Sequence, residues 1–186
     1  IEASLLSPVN AYRPPAGVRS EDVAEYCAQE LEREILRLGA ERVAAFVFEP
    51  VVGAAGGSVP APPGYARRVR EICDRHGVLM IVDEVITGFG RTGRLFAFEH
   101  SGIRPDLLTV AKGITSGYLP LGATIATRRV FETFLSDRDE TAKFAQVSTF
   151  GGHPCSCAAA LANLDIMIGE RLWENAARVG PYLADR

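Results

Sequence analysis

No stretch of the chain approaches the roughly 20 consecutive apolar residues that a bilayer-crossing helix needs, and runs such as Val78 to Val82 are only strand-sized. Basic charge is not in excess either. Against 20 Lys and Arg stand 23 Asp and Glu, spread along the sequence, and the net charge of -3 offers no basic face to nucleic acid or anionic lipid. Metal-ligating side chains are sparse as well, with 3 His and 4 Cys in 186 residues. Cys155 and Cys157 form one C-x-C, but no second pair or nearby His sits at zinc-binding spacing, so no metal is expected and reduced thiols in a cytoplasmic protein are. Ile1-Glu2-Ala3-Ser4-Leu5-Leu6 carries no initiator Met, basic n-region or cleavage site. The helical pattern running into Tyr182-Leu183-Ala184-Asp185-Arg186 has no Gly or Pro to close it. The expectation is a central piece of a longer protein, binding small neutral or mildly acidic metabolites.

A hydrophobic content of 47% is enough for one substantial core. Ser20-Glu21-Asp22-Val23 offers an N-cap hydroxyl with acids in the first turn, predicting a helix from there to about Leu38, closed by Gly39. Val43 to Phe48 is apolar without alternation and reads as a strand buried on both faces, as in a parallel sheet. Gly53 to Gly57 and the prolines at 60, 62 and 63 make a loop. Pro63 is placed in the first turn of a helix ending near His76-Gly77. Val78 to Val82, Leu107 to Val110 and Gly122 to Ala126 read as strands, and Arg129 to Leu135, Pro154 to Ile168 and Leu172 to Leu183 as helices. The alternation gives an α/β plan with a mostly parallel sheet and helices on both faces.

In open parallel sheets, ligands occupy the crevice beyond the carboxyl ends of the strands. Glu49 follows the first strand, Asp83 and Glu84 the second, and Lys112 the third. A buried carboxylate or ammonium is costly without a partner. Asp83 and Lys112 therefore read either as an ion pair or as the two ends of a cofactor clamp. In the second case the carboxylate would keep a pyridine nitrogen protonated and the amine would form an imine with an aldehyde. Spacing alone leaves both open.

The surrounding residues add a resemblance. Ile81-Val82-Asp83-Glu84-Val85-Ile86-Thr87-Gly88-Phe89-Gly90-Arg91-Thr92-Gly93, then Pro105-Asp106, then Val110-Ala111-Lys112-Gly113-Ile114-Thr115-Ser116-Gly117, closely resembles the class III aminotransferases of pyridoxal-phosphate fold type I. Glu49-Pro50-Val51-Val52-Gly53 is similar to that family's E-P-x-x-G turn, and Ser148-Thr149-Phe150-Gly151-Gly152-His153-Pro154 to its threonine loop. The likeness runs from about Val43 to Met167.

The resemblance implies pyridoxal 5'-phosphate as cofactor, with Lys112 as its Schiff-base lysine and proton carrier and Asp83 as the partner of its ring nitrogen. It implies Val85 against one face of the ring. It also implies that Thr149 reaches the cofactor phosphate of a neighbouring subunit, hence a homodimer with shared sites. The implied reaction moves an amino group from an amine or ω-amino acid to a 2-oxo acid such as pyruvate; another class III reaction, aminomutation or decarboxylation, is the alternative. Ile86 stands where part of the family has a glutamine bonding the phenolic oxygen. Ile86-Thr87-Gly88-Phe89-Gly90-Arg91-Thr92-Gly93 with Ser116 to Gly122 resembles the ω-transaminase branch. In domain terms, residues 1–170 would belong to the large cofactor domain and 171–186 would lead toward a small C-terminal domain. The phosphate-binding turn and ring-stacking aromatic would precede this segment and the substrate arginine would follow it, leaving the isolated piece inactive, with an exposed sheet edge.

Other residues have plainer readings. Glu49 is either a carboxylate that meets a substrate-gating arginine or a structural turn residue, and Glu84 is a packing or interface partner. The glycines at 88, 90 and 93 permit tight turns. His76 and His100 are helix-end groups, His153 sets the start of the following helix, and Trp173 belongs to a core or a domain connection. The strand ending in Asp83-Glu84 also imitates a Walker B element, but no G-x-x-x-x-G-K-[ST] accompanies it. An interaction module without catalysis is the third class considered.

Overall fold

The computed structural model describes residues 2–135 and 143–186, and the chain forms two compact units. The first comprises Ile1–Val82 and Phe98–Pro105, the second Asp83–Ala97 and Asp106–Arg186.

In the first unit, helix α1 (Val23–Leu38) buries Val23, Cys27, Leu31 and Ile35 at four-residue intervals. Helix α2 (Tyr65–His76) buries Tyr65, Val69, Ile72 and Cys73. Each set falls on one stripe of its helix, and the stripes allow the two helices to pack together. Glu32 of α1 accepts from His76 at 3.0 Å and pairs with Arg75, both at the end of α2. Two helix starts differ from the sequence reading. Ser20 opens a 3-10 turn, Ser20–Asp22, rather than capping α1, and the Asp22 at the cap position gives its carboxylate to Arg19 Nε at 2.6 Å. Pro63 stands ahead of α2, because Gly64 takes a φ of 89° that no α-helical turn can include. The closing glycines, Gly39 and Gly77, are where expected.

Strand β1 (Ala45–Phe48) lies parallel to β4 (Leu79–Asp83), with Ala45 opposite Leu79 and Phe48 opposite Val82. Phe48 meets Tyr65 of α2 edge-on at 5.8 Å. The expectation of burial on both faces fails at β1. Side chains alternate along a strand, so Val47 points away from the face that Tyr65 covers and is 58% exposed. Between them, β2 (Val51–Val52) and β3 (Val59–Pro60) form a short antiparallel ladder where the sequence suggested only a loop. Glu49 Oε2 accepts the Gly53 N–H at 3.1 Å and shapes its entry.

In the second unit, β5 (Leu107–Val110) has the bounds read from the sequence and pairs antiparallel with β6 (Ala123–Ala126). Leu108 and Val110 of β5 are buried, whereas all four residues of β6 are exposed. Asp106 fixes the turn into helix α3 (Arg128–Glu132), its carbonyl accepting from Thr127 and its carboxylate holding Arg129 Nη2 at 2.8 Å. Helix α3 ends at Glu132, short of Leu135, and the chain goes on through hydrogen-bonded turns. Helices α4 (Pro154–Glu170) and α5 (Trp173–Ala184) complete the unit. The α/β class with a mostly parallel sheet holds, and β6 is its antiparallel member. Among the described residues no helix is long and apolar enough to cross a membrane.

Candidate functional site

Strand β4 delivers two consecutive carboxylates with opposite fates. Asp83 is half-buried and accepts the Val85 N–H on Oδ1 at 2.9 Å, a local turn that fixes the orientation of its carboxylate. Among the described residues its second oxygen has no hydrogen-bond partner. Glu84, by contrast, is 0% exposed. Its Oε2 accepts from Thr87 Oγ1 at 2.5 Å and from the Ala97 N–H at 3.0 Å, so it closes the loop from 84 to 97 on itself. The Glu84 N–H donates to the Thr109 carbonyl at 2.9 Å, which carries this loop beside β5.

At the end of β5, Lys112–Thr115 form a 3-10 turn in which Lys112 has φ 43° and the following Ser116 has φ 49°. Left-handed backbone at a residue with a Cβ costs about 1–2 kcal/mol, and such strain concentrates at functional sites. The next residue, Gly113, sits where a side chain would be crowded. A Cβ on Gly113 would stand 3.0 Å from Phe89 Cβ and 3.4 Å from the Gly88 carbonyl, so the lysine turn packs directly on the loop that follows Asp83. Lys112 itself is exposed, and among the described residues its ammonium has neither an ion-pair nor a hydrogen-bond partner. The ion-pair reading of Asp83 and Lys112 therefore gives way. The two groups are on segments that touch, and neither neutralises the other.

The three loop glycines serve differently from the common role assigned to them. Gly90 and Gly93 do take positive φ, 91° and 84°, but Gly88 does not. Gly88 is required because a Cβ there would lie 2.8 Å from the Glu84 carbonyl. Trp173, at the start of α5, comes within 3.3 Å of where a Gly90 Cβ would be.

Thr149 lies on an exposed turn closed by the Gly151 N–H on the Ser148 carbonyl at 2.9 Å. Among the described residues no hydrogen bond joins it to Asp83 or Lys112. His153 caps α4 as the sequence suggested, Nδ1 accepting from the Cys155 N–H at 3.3 Å, with Pro154 in the first turn. Further along α4, Asn163 was not singled out by the sequence. Its Nδ2 donates to the carbonyls of Gly113 at 2.9 Å and Ile114 at 3.1 Å, and its Oδ1 accepts from Ser116 Oγ at 2.5 Å. The only advance signal was an amide side chain in the middle of a mostly apolar helix, a position Asn disfavours. None of the four cysteines is in a disulfide; Cys27 and Cys73 are buried and Cys155 is exposed.

The family model for aminotransferase class-III matches residues 6–186. A probable aminotransferase of Mycobacterium tuberculosis is 49% identical over 174 residues, covering 94% of this chain and 36% of its own length. The taurine–pyruvate aminotransferase of Bilophila wadsworthia is 43% identical over 166 residues, 88% of this chain and 36% of the relative. Among solved structures, a PLP-bound amine transaminase from an uncultivated Pseudomonas species superposes with a TM-score of 0.90 at 45% identity, covering 96% of this chain and 40% of that one. The chain thus spans about a third of the length of the curated relatives it matches.

Proposed function

This chain belongs to the class III aminotransferases, a pyridoxal-phosphate-dependent family, and we propose that the protein containing it transfers an amino group from an amine or ω-amino acid to a 2-oxo acid such as pyruvate. The observation that carries this reading is the state of Lys112. It is held in a left-handed backbone conformation on a turn packed against the Asp83 loop, with its amine uncommitted.

The residues present suit the cofactor. A carboxylate oriented by Val85 N–H through one oxygen keeps the other for a protonated ring nitrogen. The half-buried Val85 presents an aliphatic surface next to it. When bound, pyridoxal phosphate supplies the electron sink. Lys112 would hold the cofactor through Nζ and then, released, carry a proton to and from the carbon that bears the migrating nitrogen. Asp83 would keep its charge against the ring nitrogen throughout. Ile86 offers no hydrogen bond to a phenolic oxygen. Thr149, exposed on its turn, would give its hydroxyl to the phosphate in a partner subunit, which makes the working form a homodimer.

We assign residues 1–170 to the large cofactor domain and 171–186 to the lead into a small C-terminal domain, and place the protein in the cytoplasm, in keeping with cysteines that form no disulfide. The ω-transaminase branch is supported by the Ile86 to Gly93 and Ser116 to Gly122 sequences and by the taurine–pyruvate relative.

The test uses the full-length protein. A visible absorption band that shifts on addition of an amine, with borohydride fixing the cofactor onto Lys112, is the expected result. A colourless protein, or label fixed at another lysine, would overturn the proposal.

A further inference from the structure

We infer that Asn163 is a positioning residue for Lys112, holding the strained lysine turn in shape from α4; this rests on the role proposed for Lys112 above. Three observations converge on one side chain. Lys112 and Ser116, at either end of the turn, both have positive φ without being glycine. Asn163 bonds to the stretch between them three times, at the Gly113 and Ile114 carbonyls and at the Ser116 hydroxyl. The turn and α4 also pack against each other.

An amide suits this task better than any other side chain of its size. It offers two donors and an acceptor together, and here all three act on the same turn. A carboxylate could take the Ser116 hydroxyl but would face two carbonyl oxygens with no proton to give. An aliphatic residue would leave those carbonyls without these bonds, and a strained turn relaxes when its surroundings cease to over-determine it. On release, Lys112 would move toward ordinary backbone angles and its Cα–Cβ vector, hence its amine, would swing away from Asp83. Thr115 closes the far side of the turn through Oγ1 to the Leu119 carbonyl at 2.6 Å. The Lys112 carbonyl is held within the turn by the Gly117 N–H at 3.3 Å, and Asn163 is the side chain that ties the residues after Lys112 to α4.

The test compares the full-length wild type with Asn163→Asp, Asn163→Ala and Ser116→Ala. In cofactor-free protein, amide hydrogen exchange at Ile114, Ser116 and Gly117 should quicken about fivefold or more in both Asn163 variants, the size expected for losing one net hydrogen bond, and less in Ser116→Ala. In the loaded protein, the pH midpoint of the visible band should shift and cofactor loss should accelerate in the same order. A drop in unfolding temperature with unchanged exchange, midpoint and cofactor retention would reduce Asn163 to ordinary packing and overturn the inference. If Asn163→Ala does not fold, Asn163→Asp and Ser116→Ala decide by the same readings. Failure of the parent proposal shows separately, because the wild type itself would then lack the band.

Discussion

Gly113 approaches Phe89 so closely that a Cβ added to the glycine would stand 3.0 Å from the phenylalanine Cβ and 3.3 Å from its ring. This contact joins the lysine turn to the loop that begins at Asp83, and so sets the spacing of the two charged groups without any bond between them. Phe89 is itself braced, packing edge-on against Phe96 at 5.4 Å and holding φ 58°. It cannot retreat cheaply. Gly113→Ala is therefore expected to destabilise the protein by about 1–3 kcal/mol and to weaken cofactor retention. Thermal unfolding with and without pyridoxal phosphate checks both, and equal melting of variant and parent would contradict the contact.

Asp83→Asn should preserve the local turn, since a side-chain carbonyl can still accept the Val85 N–H. What it removes is the negative charge proposed to face the ring nitrogen. Turnover is expected to fall by about a hundredfold or more, the usual effect of losing one electrostatic partner of the reacting group, while cofactor content stays near that of the parent. Steady-state rates beside absorbance-based cofactor counts provide the measurement; a variant with parental turnover would show that Asp83 plays another part.

Glu84 is a structural carboxylate, and its replacement should be felt in stability. Glu84→Leu strands the Thr87 hydroxyl and the Ala97 N–H inside the protein. Leaving buried donors without an acceptor costs about 1–3 kcal/mol each. Glu84→Gln keeps one acceptor oxygen and should lose less. Chemical denaturation of the three proteins would order them parent, Gln, Leu, and the reverse order for the last two would argue against the bonding described.

On the surface of α1, Glu34 is held down to about 2 from the ordinary 4.5, first by the hydrogen bonds from Arg37 and then by Ser4. A depressed folded value means that the stabilisation is complete above about pH 4.5 and is lost as the pH falls through about 2. NMR titration of this carboxylate should find the low value. Arg37→Ala should abolish most of the shift and Ser4→Ala a smaller part of it; no change in Arg37→Ala would remove the guanidinium as the cause.

Much of this was legible in the chain. Leu107 to Val110 declared itself as a strand through four apolar or β-branched residues between turn signals, and Gly39 and Gly77 marked helix ends through a conformation that favours glycine. Asp83 and Lys112 were found by position, each just past a strand. What stayed hidden depends on residues distant in sequence. Nothing adjacent to Asn163 foretells that the turn 50 residues earlier presents two carbonyls to it. Val47 looked buried because its neighbours are apolar, yet only the packing of α2 decides which face is covered. Ser20 satisfies every rule for a cap, and Arg19 diverts the following aspartate into a different local geometry.

The bond that orients Asp83 is made by the main-chain amide of Val85, not by its side chain. An engineer can therefore vary position 85 across the amino acids, resizing the surface proposed to lie against the cofactor ring, while the aspartate keeps its anchor. Proline alone breaks this independence, because it has no N–H to give. A saturation library at this codon would then contain one internal control: the proline clone reports loss of the aspartate's orientation, and every other clone tests the proposed contact with the ring.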